Sequence, residues 1–143
     1  MDLRRLRAGE WIAGLSGVAL LVSLFVPWYE PDSLSGWEAL SAIDVLLAFV
    51  AATAVLLVIV TATQRVPAVP IALAAVVIVI GIAGVILVLL RVLDIPDVGS
   101  GREWGVWLAL AGALGIVGGA CVVLREERWP GATTPDVETM PSP

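Results

Sequence analysis

Four long apolar runs, separated by short polar segments, dominate the chain. They occupy about residues 9–28, 36–63, 70–91 and 102–124. In a helix that rises about 1.5 Å per residue, roughly 20 apolar residues cross a hydrocarbon core of about 30 Å. The pattern therefore predicts four membrane-spanning helices. A basic segment at residues 1–8 precedes them, and a tail at 125–143, rich in Pro and Thr, is expected to be disordered.

A polar pattern of eight residues follows the first run and returns after the third. The two copies share five residues, which are Pro31 and Pro96, Asp32 and Asp97, Ser35 and Ser100, Gly36 and Gly101, and Glu38 and Glu103. Pro-Asp is a turn signal, and Ser-x-x-Glu before an apolar run is a capping box. Each copy is thus predicted to be a turn followed by a helix start. The repeat predicts two tandem hairpins with Asp32 and Asp97 on the same membrane face, within about 20 Å.

The start of the second helix has two candidates. Ser35 is the N-cap that matches the repeat, and Ser41 with Asp44 forms a second Ser-x-x-acid pattern. We favour Ser35 because the same position is repeated at Ser100.

Composition supports a membrane protein and excludes several kinds of site. Hydrophobic residues make up 59% of the chain and mean hydropathy is +1.00, whereas about half of a soluble domain is apolar. The chain has one cysteine and no histidine, so it lacks a disulfide pair, the commonest general base and the commonest metal ligand. We expect no catalytic residues, no cofactor, no metal site and no nucleic-acid binding.

The distribution of arginines predicts the orientation. Positive residues stay on the cytoplasmic side. With the N-terminus inside, two arginines, Arg91 and Arg102, are outside, and six are inside: Arg4, Arg5, Arg7, Arg65, Arg125 and Arg128. Both termini are therefore predicted to be cytoplasmic, in the cytoplasmic membrane. The same orientation places an aromatic belt at the outer interface, formed by Trp28, Tyr29, Trp37, Trp104 and Trp107.

Small residues recur every fourth position in the last run, at Ala111, Gly115 and Gly119. Such a stripe lets helices approach closely in lipid. We expect it to form a seam within the chain, with self-association between chains as the alternative.

Asp44 is the deepest ionisable residue in any predicted span. Arg91 ends the third span at a similar height, because Asp44 to Arg65 and Pro70 to Arg91 are equal distances along the chain. An arginine near a carboxylate stabilises its charged form. The favoured interpretation is an ion pair of Asp44 and Arg91 that locks the bundle, and the alternatives are a solute or ion site at Asp44 and a solvated helix start.

Three short motifs in the first hairpin carry a family resemblance. They are Pro27-Trp28-Tyr29, Ser35-Gly36-Trp37-Glu38-Ala39 and Asp44-Val45-Leu46-Leu47. With them the chain resembles small, uncharacterised four-span membrane proteins of high-GC bacteria. The resemblance implies the fold and brings no known activity.

The sequence thus predicts an all-α fold, an integral membrane four-helix bundle of two tandem hairpins. The favoured function is a non-catalytic structural or interaction subunit, whose partners are the lipid bilayer and either further copies of itself or another membrane protein. The alternative is a small channel or transporter subunit that acts as an oligomer.

Overall fold

The computed structural model of the chain describes residues 6–30, 34–35, 41–63, 68–93 and 101–127. The described chain is helical, as predicted, with four helices and a small sheet at one end. The helices are α1 (Ala8–Ser23), α2 (Ser41–Thr63), α3 (Ala68–Leu93) and α4 (Trp104–Glu127). The strands are β1 (Pro27–Glu30), β2 (Leu34–Ser35) and β3 (Gly101–Arg102). The predicted tail at 129–143 lies outside the described residues, but residues 125–127 belong to α4 and not to the tail.

Three of the helices, α2, α3 and α4, are long and apolar enough to cross a membrane. The first helix is shorter, with 16 residues, or about 24 Å. It continues beyond Ser23 as a tighter turn, in which the amides of Leu24, Phe25 and Val26 each donate to the carbonyl three residues earlier. At about 2 Å per residue, this turn adds about 6 Å to the helix. The helix and turn together are therefore about 30 Å long.

The four helices pack in a ring. α1 contacts α2 and α4, and α3 contacts the same two helices, with the fewest contacts between α2 and α3. The centre of the ring is filled by apolar side chains that have no exposed surface: Leu20, Leu47, Ala54, Leu57, Val77, Val88, Ala113 and Ile116. Close packing of this kind stabilises helix association in lipid, where burial from water contributes little.

Glycines allow α1 and α4 to approach at backbone distance. A Cβ added at Gly119 would lie 2.7 Å from the Gly9 carbonyl oxygen, and one at Gly112 would lie 2.9 Å from the Leu20 amide nitrogen. Positions 119 and 112 thus face opposite ends of α1, so the two helices run antiparallel. The predicted seam within the chain is present at this interface.

The register of that seam differs from the predicted one at Ala111. Gly115 packs against Ser16 and Gly119 against Ala13, but Ala111 is exposed and Gly112 is buried in its place. Four residues turn a helix by about 400°, so a strict four-residue stripe drifts by about 40° at each step. Over two steps the drift carries Ala111 out of the interface.

A small sheet occupies the position of the helix start that the second repeated turn predicted. β1 is its central strand and pairs antiparallel with β2 on one side and β3 on the other. Tyr29 is opposite Leu34 in one pair and Arg102 in the other. The residues after the first and third apolar runs therefore meet at one end of the bundle, which we call the sheet end.

Ser35 lies in β2 and the described part of α2 begins at Ser41; residues 36–40 lie outside the described residues, so the N-cap at Ser35 stays a prediction. The first helix ends at Ser23 and not at residue 28, and α4 begins at Trp104 and not at residue 102. Before α4, Gly101 and Arg102 pair with β1, which is far away in sequence, and this pairing takes the place of local capping. α3 extends two residues beyond the predicted run at each end.

Candidate functional site

Asp44 is a buried acid at the sheet end. It lies in the first turn of α2, three residues into the helix and inside the apolar segment Ala42–Thr63. Its side chain has no exposed surface. Neither carboxylate oxygen accepts a hydrogen bond from any group in the part of the chain described. Buried polar groups in proteins are nearly always hydrogen-bonded, so a fully buried carboxyl without a partner is unusual.

Arg91 is the charged residue that acts on this acid. It lies in the last turn of α3, and its guanidinium interacts electrostatically with the Asp44 carboxyl. Asp44 and Arg91, for which the sequence predicts similar heights, therefore lie near each other. The Asp44 oxygens accept no hydrogen bond from the described residues, so Arg91 acts on Asp44 without a hydrogen bond between them. The predicted ion pair that locks the bundle therefore stays a prediction.

Tyr29 joins the sheet to the same helix end. Its side chain is 2% exposed, and its hydroxyl donates to the Arg91 carbonyl oxygen at 3.3 Å. The last carbonyls of a helix have no partner within the helix, so this bond caps the C-terminal turn of α3. Tyr29 therefore couples the position of β1 to the position of Arg91.

Trp28 anchors β1 in the bundle. Its indole Nε1 donates to the Ser23 carbonyl at 2.6 Å, and its own carbonyl accepts from the Glu103 amide at 2.9 Å. The ring lies against Gly105, where an added Cβ would be 2.9 Å from Trp28 Cδ1. Trp28 thus connects the end of α1 to the start of α4.

The outer aromatic belt is therefore wrong for two of its members. Trp28 is fully buried and Tyr29 nearly so; both are core residues. Trp104 and Trp107 are 60% and 53% exposed, as a belt requires. Trp37 lies outside the described residues. One signal in the sequence could have distinguished the buried Trp28 and Tyr29 from the exposed Trp104 and Trp107. Trp28 and Tyr29 follow Pro27 in a segment that cannot continue the helix, because proline lacks the amide hydrogen.

Most of the repeated-turn residues are outside the described residues. These are Pro31, Asp32, Gly36, Glu38, Pro96, Asp97 and Ser100, so the predicted proximity of Asp32 and Asp97 stays a prediction. Of the remaining residues, Ser35 is in β2 and Gly101 in β3, on either side of the same strand. Glu103 is half-buried and directly precedes α4.

Other features at this depth are apolar. Within the described segments, no three His, Cys, Asp or Glu side chains are grouped to hold a metal ion. A groove of about 520 Å³ lies on the outer side of α2 and is lined by Leu21, Phe49, Leu56 and Ile59 among others. The hydroxyl of Thr53, also in this groove, donates to the Val50 carbonyl at 2.8 Å. The groove therefore suits hydrocarbon better than a polar solute.

No family model, curated protein or solved structure matches the chain. The chemistry of the site must therefore be argued from its own residues. Among the described residues, Asp44 offers a carboxyl that accepts no hydrogen bond, Arg91 offers a nearby positive charge, and Tyr29 ties the Arg91 backbone to the sheet. A carboxyl next to a guanidinium can exchange a proton or pair with a cation.

Proposed function

We propose that the chain is a non-catalytic, multi-pass protein of the cytoplasmic membrane that acts as a structural or interaction subunit. The observation that carries the proposal is the filled centre of the bundle. Leu20, Leu47, Leu57 and Ile116 have no exposed surface, so the axis of a single copy has no room for a solute. Four helices around one axis ordinarily fill their own centre in this way. Contacts with a partner are then left to the outer surface.

We also propose that all four helices span the membrane, as two tandem hairpins with both termini in the cytoplasm. α1 and its terminal turn are about 30 Å long, which equals a typical hydrocarbon core. The arginine distribution favours the sheet end as the external side. The motif resemblance to small four-span proteins of high-GC bacteria agrees with this topology.

Site-specific photocrosslinking in intact cells tests the interaction role. A photoreactive residue at Trp104 or Trp107, both exposed next to the sheet end, should give one discrete crosslinked product, either with a second copy or with one membrane protein. The same residue at Val77, which is fully buried, is the matched control and should give none. Monomer alone from every exposed position, together with a monomer mass in mild detergent, would contradict an interaction role.

The alternative is a small channel or transporter subunit that acts as an oligomer, and the unpartnered Asp44 favours it. An intramembrane acid often marks an ion or solute route. A pathway would have to form between copies, because the centre of each copy is filled. A defined homo-oligomer in mild detergent that supports ion flux in liposomes, with flux lost in Asp44→Asn, would favour this function. A stable complex with a different protein and no flux would favour the subunit role.

A further inference from the structure

The described residues around Asp44 donate no hydrogen bond that would stabilise its carboxylate form. An ionised carboxylate removed from water needs hydrogen-bond donors or a paired cation to offset its lost hydration. Asp44 is fully buried and its two oxygens accept no hydrogen bond from the described chain. A neutral carboxylic acid at the same position loses far less hydration, because it carries no net charge.

Charged and titratable groups come to the two ends of the bundle from several elements. α3 contributes Arg91, the charged residue that acts on Asp44 electrostatically. β1 contributes Tyr29, whose hydroxyl donates to the Arg91 carbonyl, and Glu103 precedes α4 at the same end. α1 places its acid, Glu10, at the opposite end of the bundle, where it accepts a hydrogen bond from the Arg7 amide.

We propose that Asp44 is a reversible proton-binding site at the sheet end of the bundle. At acidic pH the buried carboxyl carries a proton, taken from hydronium with release of water. When the proton returns to water, the carboxylate is left facing Arg91, whose guanidinium stabilises the negative charge. The site thus has a stable neutral form and a charge partner for its ionised form. This proposal goes beyond a subunit role and does not depend on it.

The packing indicates which part of the bundle responds to the proton. Asp44 is in α2 and Arg91 in α3, and these neighbouring helices make the fewest contacts of any adjacent pair in the ring. α1 and α4, in contrast, meet at backbone distance through Gly112 and Gly119. A carboxylate that turns towards the guanidinium would therefore shift α2 against α3 with less loss of packing than any movement of the α1–α4 pair.

Infrared spectroscopy of the full chain in lipid nanodiscs tests the proposal. We expect a protonated-carboxyl C=O band at acidic pH that is lost in Asp44→Asn and kept in Glu103→Gln, the matched control at the same end. The band should disappear as pH rises and return when pH is lowered. If Asp44→Asn does not fold, wild-type protein with ¹³C-labelled aspartate should still shift the band, and ¹³C-labelled glutamate should not.

The charge of Arg91 gives a second readout. Removing it in Arg91→Gln should move the midpoint of the band's titration to higher pH, since a nearby cation favours the ionised carboxyl. Arg125→Gln, a matched loss of charge at the opposite end of the bundle, should not move it. The proposal is overturned if no band responds to aspartate labelling or to Asp44→Asn, or if the band persists at every pH at which the protein stays folded.

Discussion

The interface between α1 and α4 can be tested with two neighbouring glycines of the same helix. In Gly119→Ala, the new methyl would lie 2.7 Å from the Gly9 carbonyl oxygen, 2.9 Å from the Ala13 Cα and closer still to the Ala13 amide nitrogen. All three atoms belong to backbone, which cannot move aside as a flexible side chain can. In Gly118→Ala, the methyl would meet nothing within 4 Å.

The expected difference comes from this contact alone. Both substitutions change glycine to alanine in α4, so the gain in helix propensity of about 1 kcal/mol applies to both and cancels in the comparison. Overpacking of a close interface costs about 1–3 kcal/mol. The free energy of unfolding should therefore be about 1–3 kcal/mol lower for Gly119→Ala than for Gly118→Ala.

Reversible unfolding in mixed micelles, followed by circular dichroism, measures the two free energies. The result that would refute the packing of α1 on α4 is equal stability of the two variants within about 0.5 kcal/mol, the usual effect of a surface substitution. Lower stability of Gly118→Ala than of Gly119→Ala would show that α4 is rotated by about 100° from the face described here.

Two further substitutions test the sheet end. Trp28→Phe removes the hydrogen bond to the Ser23 carbonyl and leaves a void, so it should lower the free energy of unfolding by about 1–3 kcal/mol. The control Trp104→Phe, at an exposed position, should change that free energy by less than about 0.5 kcal/mol. Equal effects of the two substitutions would contradict the burial of Trp28. A double-mutant cycle with Asp44→Asn and Arg91→Gln should give a coupling free energy that rises with pH to about 0.5–3 kcal/mol, since only the ionised acid is stabilised by the guanidinium. A large coupling that is independent of pH would instead establish a permanent ion pair.

The number of helices and their apolar character could be predicted because both depend on local pattern. Long apolar runs must be helical in lipid, where each backbone group needs a partner within its own segment. The sheet could not be predicted in the same way. β2 and β3 have two residues each, too few for an alternating pattern, and β3 pairs with a strand about 70 residues earlier in the chain.

The capping prediction failed in the second copy for a related reason. Ser100 and Glu103 match a capping box, but Gly101 and Arg102 pair with Glu30 and Tyr29, and the helix begins at Trp104. A local motif predicts a helix start only where no tertiary partner competes for the same backbone groups. The burial of Trp28 and Tyr29 likewise follows from the strand that holds them.

The sequence predicted similar heights for Asp44 and Arg91, but it did not predict which hydrogen bonds form around them. Equal spacing along two antiparallel runs was sufficient to place Asp44 and Arg91 at similar heights. It could not indicate whether the two side chains meet, because that depends on the rotation of each helix about its axis. Tyr29 was not expected at the site, since its hydrogen bond to the Arg91 carbonyl spans two apolar runs.

The most direct test of the four-span account is the side of the membrane on which each terminus lies. In a variant with Cys121 replaced, single cysteines at Asp2, Ser33, Gly99 and Thr134 are labelled in intact cells with an impermeant thiol reagent. The account predicts labelling at Ser33 and Gly99, and labelling at Asp2 and Thr134 only after permeabilisation. Labelling of Asp2 in intact cells together with protection of Thr134 would show that α1 does not cross the membrane and would contradict the account.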